Sequence, residues 1–228
     1  MKIITWNCNC SFRTKLDHLR IIDFDLAIIQ ECEKEIKDLP ETWEYLWVGN
    51  NINKGMAVIG QGNKIKIDKI HKAEWSCFLP VTVNDGEWFI LAVWAYNHRA
   101  RKNIGESAIG YPLEIFERLS QILPYNNSMV VGDFNNSVVW DRPSSNNSFI
   151  DIVKKLESFG LTSAYHTFKS EEFGCETNKT FFHNKKESMG HHIDYIFIPD
   201  GTKILNLEVG QYSDWINYSD HVPIQIEI

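Results

Sequence analysis

Asn7, Glu31, Asp133, Asn135, Asp194, Asp220 and His221 share one property: each lies where a short apolar run ends or begins. Asn7 closes the run at residues 2–6, and Gln30-Glu31 close residues 26–29. Tyr96-Asn97-His98 close residues 88–95, while Asp133 and Asn135 follow Met129-Val130-Val131-Gly132. In the last third the order reverses. Asp194 opens the run at 193–198, and Asp220-His221 precede residues 222–228. If these late strands run antiparallel to their neighbours, their starts share a sheet edge with the other strands' ends. One rim then gathers four carboxylates, two amides and an imidazole. Carboxylates so crowded raise one another's pKa values unless a cation neutralises them. Their oxygens are hard donors, suited to Mg²⁺ or Mn²⁺ far better than to zinc. Singly, each residue has a plainer role, because Asp and Asn after a strand also form turns and caps. The whole set in this order is what points to metal-assisted chemistry.

The elements that must position these groups follow from the apolar pattern. Runs at 2–6, 26–29, 56–59, 88–95, 129–131, 193–198 and 222–228 are rich in β-branched and aromatic residues and bounded by turn formers, which predicts strands. Residues 65–70 alternate as a half-exposed strand does, and Asn84-Asp85-Gly86 between 79–83 and 88–95 predicts a hairpin. Three segments predict helices. One carries Leu16, Leu19 and Ile22 on a face. A second opens on Pro112 and aligns Leu113, Phe116, Leu119 and Ile122 or Leu123. A third starts at Ser148 with Asp151 as a capping-box variant, continues through Ile152, Val153, Leu156 and Phe159, and stops at Gly160. Strands and helices interleave without a repeat or a Pro/Gly/Ser linker, so residues 1–228 are expected to form a single α/β domain.

Composition narrows the function. With 228 residues and 43% hydrophobic content, the chain can bury a large core. A net charge of −7 argues against a protein that coats long duplexes non-specifically, which needs a basic surface. The start Met1-Lys2-Ile3-Ile4-Thr5-Trp6 has no signal-like apolar region, and no run reaches the roughly 20 apolar residues of a membrane span. Five cysteines, Cys8, Cys10, Cys32, Cys77 and Cys175, are an odd number and read as reduced, buried, inert thiols, hence a cytoplasmic protein. Cys8-x-Cys10 with His191-His192 fits no zinc spacing. The densest basic stretch, Asn97-His98-Arg99-Ala100-Arg101-Lys102, follows a rim strand and reads either as a solvated loop or as a clamp for substrate phosphates. Trp140 and Phe181-Phe182 read as core or as stacking surfaces for a base.

Trp6-Asn7, Gln30-Glu31, Gly132-Asp133-Phe134-Asn135, His192-Ile193-Asp194-Tyr195 and Ser219-Asp220-His221 together resemble the motif series of the endonuclease/exonuclease/phosphatase superfamily. The series spans nearly the whole chain and is specific for the superfamily rather than for a substrate. The resemblance implies a four-layer α/β/β/α sandwich of two mixed β-sheets flanked by helices. It also implies Glu31 as the principal Mg²⁺ ligand, Asn7 nearby and Asp220 completing the metal shell, with Mn²⁺ as a substitute. Asp133 would orient and deprotonate the attacking water, helped by Asn135. His221, oriented by Asp194, would contact the scissile phosphate. Tyr96 falls where many members touch the phosphate, with His98 its rival. His98, Arg99, Arg101 and Lys102 are the candidate substrate-binding residues. Two departures stand out: Asn9 leads into Cys10-Ser11-Phe12-Arg13 rather than the Gly-Leu-Arg of AP endonucleases, and His192 stands where many members carry Arg. The expectation is a nuclease or phosphodiesterase acting on a phosphoester, nucleic acid among the options. A phosphatase for a small metabolite or lipid head group is the alternative, and a non-catalytic binding module the third. Oligomeric state is not readable from the sequence.

Overall fold

Two parallel strand pairs set the frame, each joined by a crossover that carries a helix, as parallel pairing requires. β1 (Lys2–Asn7) leads through α1 (Leu16–Arg20) to β2 (Leu26–Cys32). After β3 (Trp43–Asn51), β4 (Lys54–Gln61), β5 (Ile65–Ile67) and β6 (Phe78–Val83), the motif recurs. β7 (Trp88–Trp94) leads through α2 (Pro112–Arg118) to the parallel β8 (Ser128–Asp133). The chain continues through α3 (Phe149–Glu157), β9 (Leu161–Ser163), α4 (Ala164–Lys169), β10 (Phe181–Phe182) and β11 (Gly190–His191). It ends with β12 (Asp194–Pro199), β13 (Asn206–Val209), α5 (Tyr212–Trp215) and β14 (Ile224–Glu227). The structure, a computed structural model, describes residues 1–96, 111–120, 123, 127–142 and 147–228.

One six-stranded sheet has the order β13-β14-β1-β2-β4-β3 and the other β5-β6-β7-β8-β12-β9. Both are mixed: β1–β2 and β7–β8 are parallel, and the pairs flanking them are antiparallel. The sheets pack face to face over Ile3, Leu26, Ile28, Met56 and Val58 from the first, against Leu79, Val81, Ile90, Ala92, Val131 and Ile196 from the second. The outer face of the first sheet buries Ile4, Trp6 and Ile29 under Leu16 and Leu19 of α1. The outer face of the second buries Leu91, Val130 and Phe197 under Ile115 and Phe116 of α2 and Ile152 and Leu156 of α3. This is the expected four-layer α/β/β/α sandwich. Strand residues apolar on both faces are what a sheet covered on both sides demands. Each buried Leu, Ile or Phe side chain contributes about 1.5–3 kcal/mol.

The helix and strand expectations hold with local corrections. Pairing in β5 stops at Ile67 instead of continuing to residue 70. α3 starts after Ser148, but its first amides are not capped by Ser148 and Asp151. Asp141 accepts from the Phe149 and Ile150 amides at 2.6 and 2.9 Å, and Ser148 Oγ donates to the same carboxylate at 3.1 Å. The uniform burial of the thiols is also corrected: Cys8, Cys32 and Cys77 are buried, Cys10 is half-buried and Cys175 is exposed. Among the described residues no helix is long and apolar enough to cross a membrane.

Candidate active site

The reversal of the late strands places the polar residues on one rim. β12 runs antiparallel to β8 with Asp194 directly opposite Asp133, and β14 runs antiparallel to β1. The carboxyl ends of β1, β2 and β8 therefore meet the starts of β12 and β14.

Asp133 is the hub. It is fully buried at the end of β8, and all its bonds come from neighbours at the same edge. Asn7 Nδ2 donates to Oδ2 at 3.0 Å, Asn135 Nδ2 to the same oxygen at 2.9 Å, and the Asn135 amide to Oδ1 at 2.8 Å. The preceding Gly132 fixes this position. Its φ is +148°, and a Cβ there would stand 1.9 Å from the Val93 carbonyl oxygen of β7. Only glycine lets the two parallel strands approach so closely. Burial, and then the facing Asp194 charge, hold the Asp133 carboxyl above the usual carboxylate range, against the pull of His221 and the Asn7 bond.

His221 and Asp194 form a buried pair, with Nδ1 2.9 Å from Asp194 Oδ2. Burial works against the imidazolium, but the Asp194 charge and hydrogen bond, aided by Asp133 and Asp220, raise the His221 pKa above its ordinary value. Nδ1–H is thus the donor to Asp194, leaving Nε2–H as the ring's second donor. Backbone bonds lock the pair in place: Thr180 Oγ1 accepts from the Ile193 and Asp194 amides at 3.0 and 3.1 Å. Ser219 Oγ accepts from the His221 amide at 3.0 Å and donates to the Asn7 carbonyl at 2.7 Å, while Trp6 Nε1 donates to the His221 carbonyl at 3.1 Å. Sequence reading passed over Thr180, and although Ser219 lies in the tripeptide singled out, its role as a tie between the chain's two ends was not visible there.

Glu31 reaches the rim through a β-bulge. The β2–β4 register shifts between Gln30 and Cys32, and Glu31 adopts φ +60°, a left-handed conformation uncommon for a residue with a Cβ. Its carboxylate meets Asn7 Nδ2 at 3.4 Å through Oε1. On the other oxygen, Oε2, it takes Lys54 Nζ at 2.9 Å and Cys10 Sγ at 3.8 Å. Burial opposes the Lys54 charge, but the bond to Glu31, with further pull from Glu31, Cys10 and Asp220, raises the Lys54 pKa. Lys54 has no strand-end signature, and nothing in the sequence marks it. Asp220 is half-buried, and its backbone carbonyl accepts from the Phe182 amide at 2.7 Å.

Tyr96 is half-buried beyond β7, its hydroxyl bonded by Cys77 and Ser76, and burial with the Cys77 neighbour pushes its pKa up to about 12. His98, Arg99, Arg101 and Lys102 lie outside the described residues. Phe181 packs on the His221 ring at a centroid distance of 4.8 Å, and Trp140 on His191 at 4.8 Å. Both are half-exposed at the rim, whereas Phe182 is core. His192 is buried, with Nδ1 2.9 Å from the Asn178 carbonyl, so it does not supply the surface cation an Arg would.

The residues present fit a hard divalent cation. Two buried carboxylates face each other, and Asp194 Oδ1 is buried with no hydrogen-bond partner among the described residues. The ligand atoms of Asp133, Asp194 and His221 lie within 4.8 Å of one another. That trio and the Glu31 side of the rim are alternative cradles. In the trio His221 Nδ1 already faces Asp194 Oδ2, and Asp133 accepts from three donors, which leaves about one of its four lone pairs open. Glu31, with 16% of its side chain exposed, is held by a lysine that a cation can displace.

No protein-family model and no curated protein matches the sequence. Solved structures do. A 3'-5' exonuclease from Neisseria meningitidis superposes with a TM-score of 0.71 at 17% identity, covering 100% of this chain and 99% of its own. A 3' phosphatase from Neisseria bound to product DNA hairpin gives the same TM-score, identity and coverage. An AP endonuclease from Leishmania major gives 0.71 at 10% identity, over 99% of this chain and 86% of its own. The chain has the fold of the endonuclease/exonuclease/phosphatase structures.

Proposed function

We propose that the chain is a divalent-cation-dependent phosphoesterase that cleaves a P–O bond by attack of an activated water, acting as a nuclease or phosphodiesterase. The observation that carries this reading is the juxtaposition of Asp133, held above its ordinary pKa among three oriented donors, with the His221–Asp194 pair on a common rim. A binding module would not require a carboxylate set to take a proton beside an imidazolium set to donate. The solved structures sharing the fold carry nuclease and 3' phosphatase activities in their own descriptions, which supports the same class of chemistry here.

Glu31, Asn7 and Asp220 would hold the cation, Mg²⁺ with Mn²⁺ as substitute. Once bound, it neutralises phosphate oxygens that otherwise repel a nucleophile. Asp133 accepts the proton of the attacking water, and its raised pKa brings it nearer the operating pH, where a general base is most effective. Asn135, anchored to the Ala95 carbonyl by Nδ2 at 3.0 Å, orients Asp133. His221 Nε2–H donates to the phosphate oxygens as charge develops, with Asp194 keeping the ring charged and aimed. We place the chain in the cytoplasm, where its free thiols suit a reducing compartment.

Hydrolysis of bis-p-nitrophenyl phosphate beside its monoester, with and without EDTA, tests the reading. Activity should vanish in EDTA and return with Mg²⁺ or Mn²⁺, and the diester should be preferred. Glu31→Gln should need more metal for the same rate. Full turnover in chelator would end the proposal, and a preference for the monoester would favour the phosphatase reading.

Lys54 gives a prediction independent of turnover. A divalent cation arriving at Glu31 must displace the ammonium, so Lys54→Met should tighten Mn²⁺ binding by roughly tenfold, about 1.4 kcal/mol. Calorimetric titration without substrate measures it. Unchanged or weaker binding would place the metal elsewhere.

A further inference from the structure

A groove of about 200 Å³ opens beside Glu31, lined by Gly49, Asn50 and Asn51 of the β3–β4 hairpin, Lys54, Ser76, Cys77, Trp94 and Tyr96. It lies between the two sheets and touches the rim directly. Lys54 Nζ is 2.9 Å from Glu31 and 5.6 Å from the centroid of the Trp94 ring. Trp94 in turn pairs with Asp133 across the parallel β7–β8 ladder, one strand spacing of about 4.8 Å away. A group seated here is therefore adjacent to a phosphate on the rim.

We propose that this groove is a subsite for the nucleobase next to the scissile phosphate, taken from a single-stranded or terminal nucleotide. The inference rests on the phosphoesterase reading and names a substrate class for it. Three features choose the occupant. Trp94 and Tyr96, both half-buried, offer aromatic surface, and stacking on such rings accepts any base. Asn50 and Asn51 are exposed at the rim and Asn50 Nδ2 donates to Ser76 Oγ at 3.1 Å, so amides and a hydroxyl meet the edge of a planar ring. On a chain of net charge −7, the charged group among the described lining residues is Lys54, and none is acidic. Lys54 shares its charge with Glu31, and its ammonium on the wall, with no carboxylate in the described lining, suits a phosphate-linked ring better than the quaternary ammonium of a choline head group. The lining surface is more apolar than polar, with its amides and hydroxyl gathered at one edge, which suits a flat aromatic ring better than the polyol ring of an inositol phosphate. The volume is below the ~300–1,000 Å³ of a pocket enclosing a drug-sized ligand, which suits one ring system. A base must leave its stack to enter, hence the single-stranded or terminal substrate.

Calorimetric titration of the full chain in EDTA with adenosine 5'-monophosphate, ribose 5-phosphate and phosphocholine tests this without turnover. The nucleotide should bind about tenfold more tightly than ribose 5-phosphate, in line with one base stacked on an aromatic ring, and phosphocholine most weakly. Trp94→Ala should erase the preference and Trp94→Phe keep most of it. Should Trp94→Ala fail to fold, Asn50→Trp at an exposed position fills the groove and should abolish nucleotide binding. Equal binding of the nucleotide and ribose 5-phosphate would overturn the proposal, as would a preference that survives Trp94→Ala or Asn50→Trp. The outcome is separable from the hydrolysis assay. Metal-dependent cleavage with no base preference removes the groove alone, and base preference without cleavage of any phosphoester leaves the groove standing while removing the phosphoesterase.

Discussion

Asp133→Asn is expected to lower kcat by roughly 10²–10⁴-fold while leaving the fold and substrate affinity close to wild type. The asparagine keeps the shape of the side chain, and its Oδ1 can still accept from the Asn135 amide, while its Nδ2 replaces the oxygen that accepted from Asn7 Nδ2 and Asn135 Nδ2. What it loses is the proton acceptor, together with the mutual repulsion between residues 133 and 194. The second loss works the other way on stability. That relief is set against the buried hydrogen bonds that Oδ2 no longer accepts, so the variant should stay folded and melt at or modestly below wild type. Single-turnover kinetics with a thermal melt check both halves. A folded variant with near wild-type kcat would remove Asp133 from the reaction.

His221→Ala should cost roughly 10²–10³-fold in kcat, the scale of losing one transition-state donor, about 2.7–4 kcal/mol. Asp194→Asn should be milder, because it leaves the ring in place while weakening the charge that holds its proton. In the double variant the losses should fail to multiply, since Asp194 acts through His221. A double variant at the product of the two single losses would show that the carboxylate acts separately, for instance on the cation through Oδ1, unpartnered among the described residues.

The rim was legible in the sequence because its signal is positional. Asn7 and Asp133 each close a run whose apolar character a doubly covered strand demands, and the reversed order of Asp194 and Asp220-His221 matches the antiparallel entry of β12 and β14. The route by which Glu31 reaches the rim was not legible. A bulge is set by the register of β4 against β2, and no glycine within β2 marks this one. β3 escaped as well: Trp43, Tyr45 and Trp47 face one side and Leu46 and Val48 the other, so apolar residues fall on both faces and no alternation appears. β13 is a short edge strand with Asn206 and Glu208 exposed, which reads as loop. Asp141 caps α3 from eight residues before Phe149, beyond the local window in which caps are sought. Lys54 acquires its importance only from where its ammonium ends up.

The ties that close the rim run between the first residues of the chain and the last. Ser219 bonds to Asn7 and Trp6 to His221, each across more than two hundred positions, and Met1 N donates to the Ile228 carbonyl beside the β1–β14 ladder. A ribosome delivers these partners 212 to 227 residues apart, roughly 11–45 s at about 5–20 residues per second. During that interval β1 can pair with β2 but has an open flank where β14 will lie, and Asn7 and Glu31 stand without His221. The rim with Asn7 and Glu31 beside His221 therefore assembles only after the segment holding β14 is made. The same open flank is an unpaired strand edge, the kind of surface that invites association with other chains until the last strand covers it.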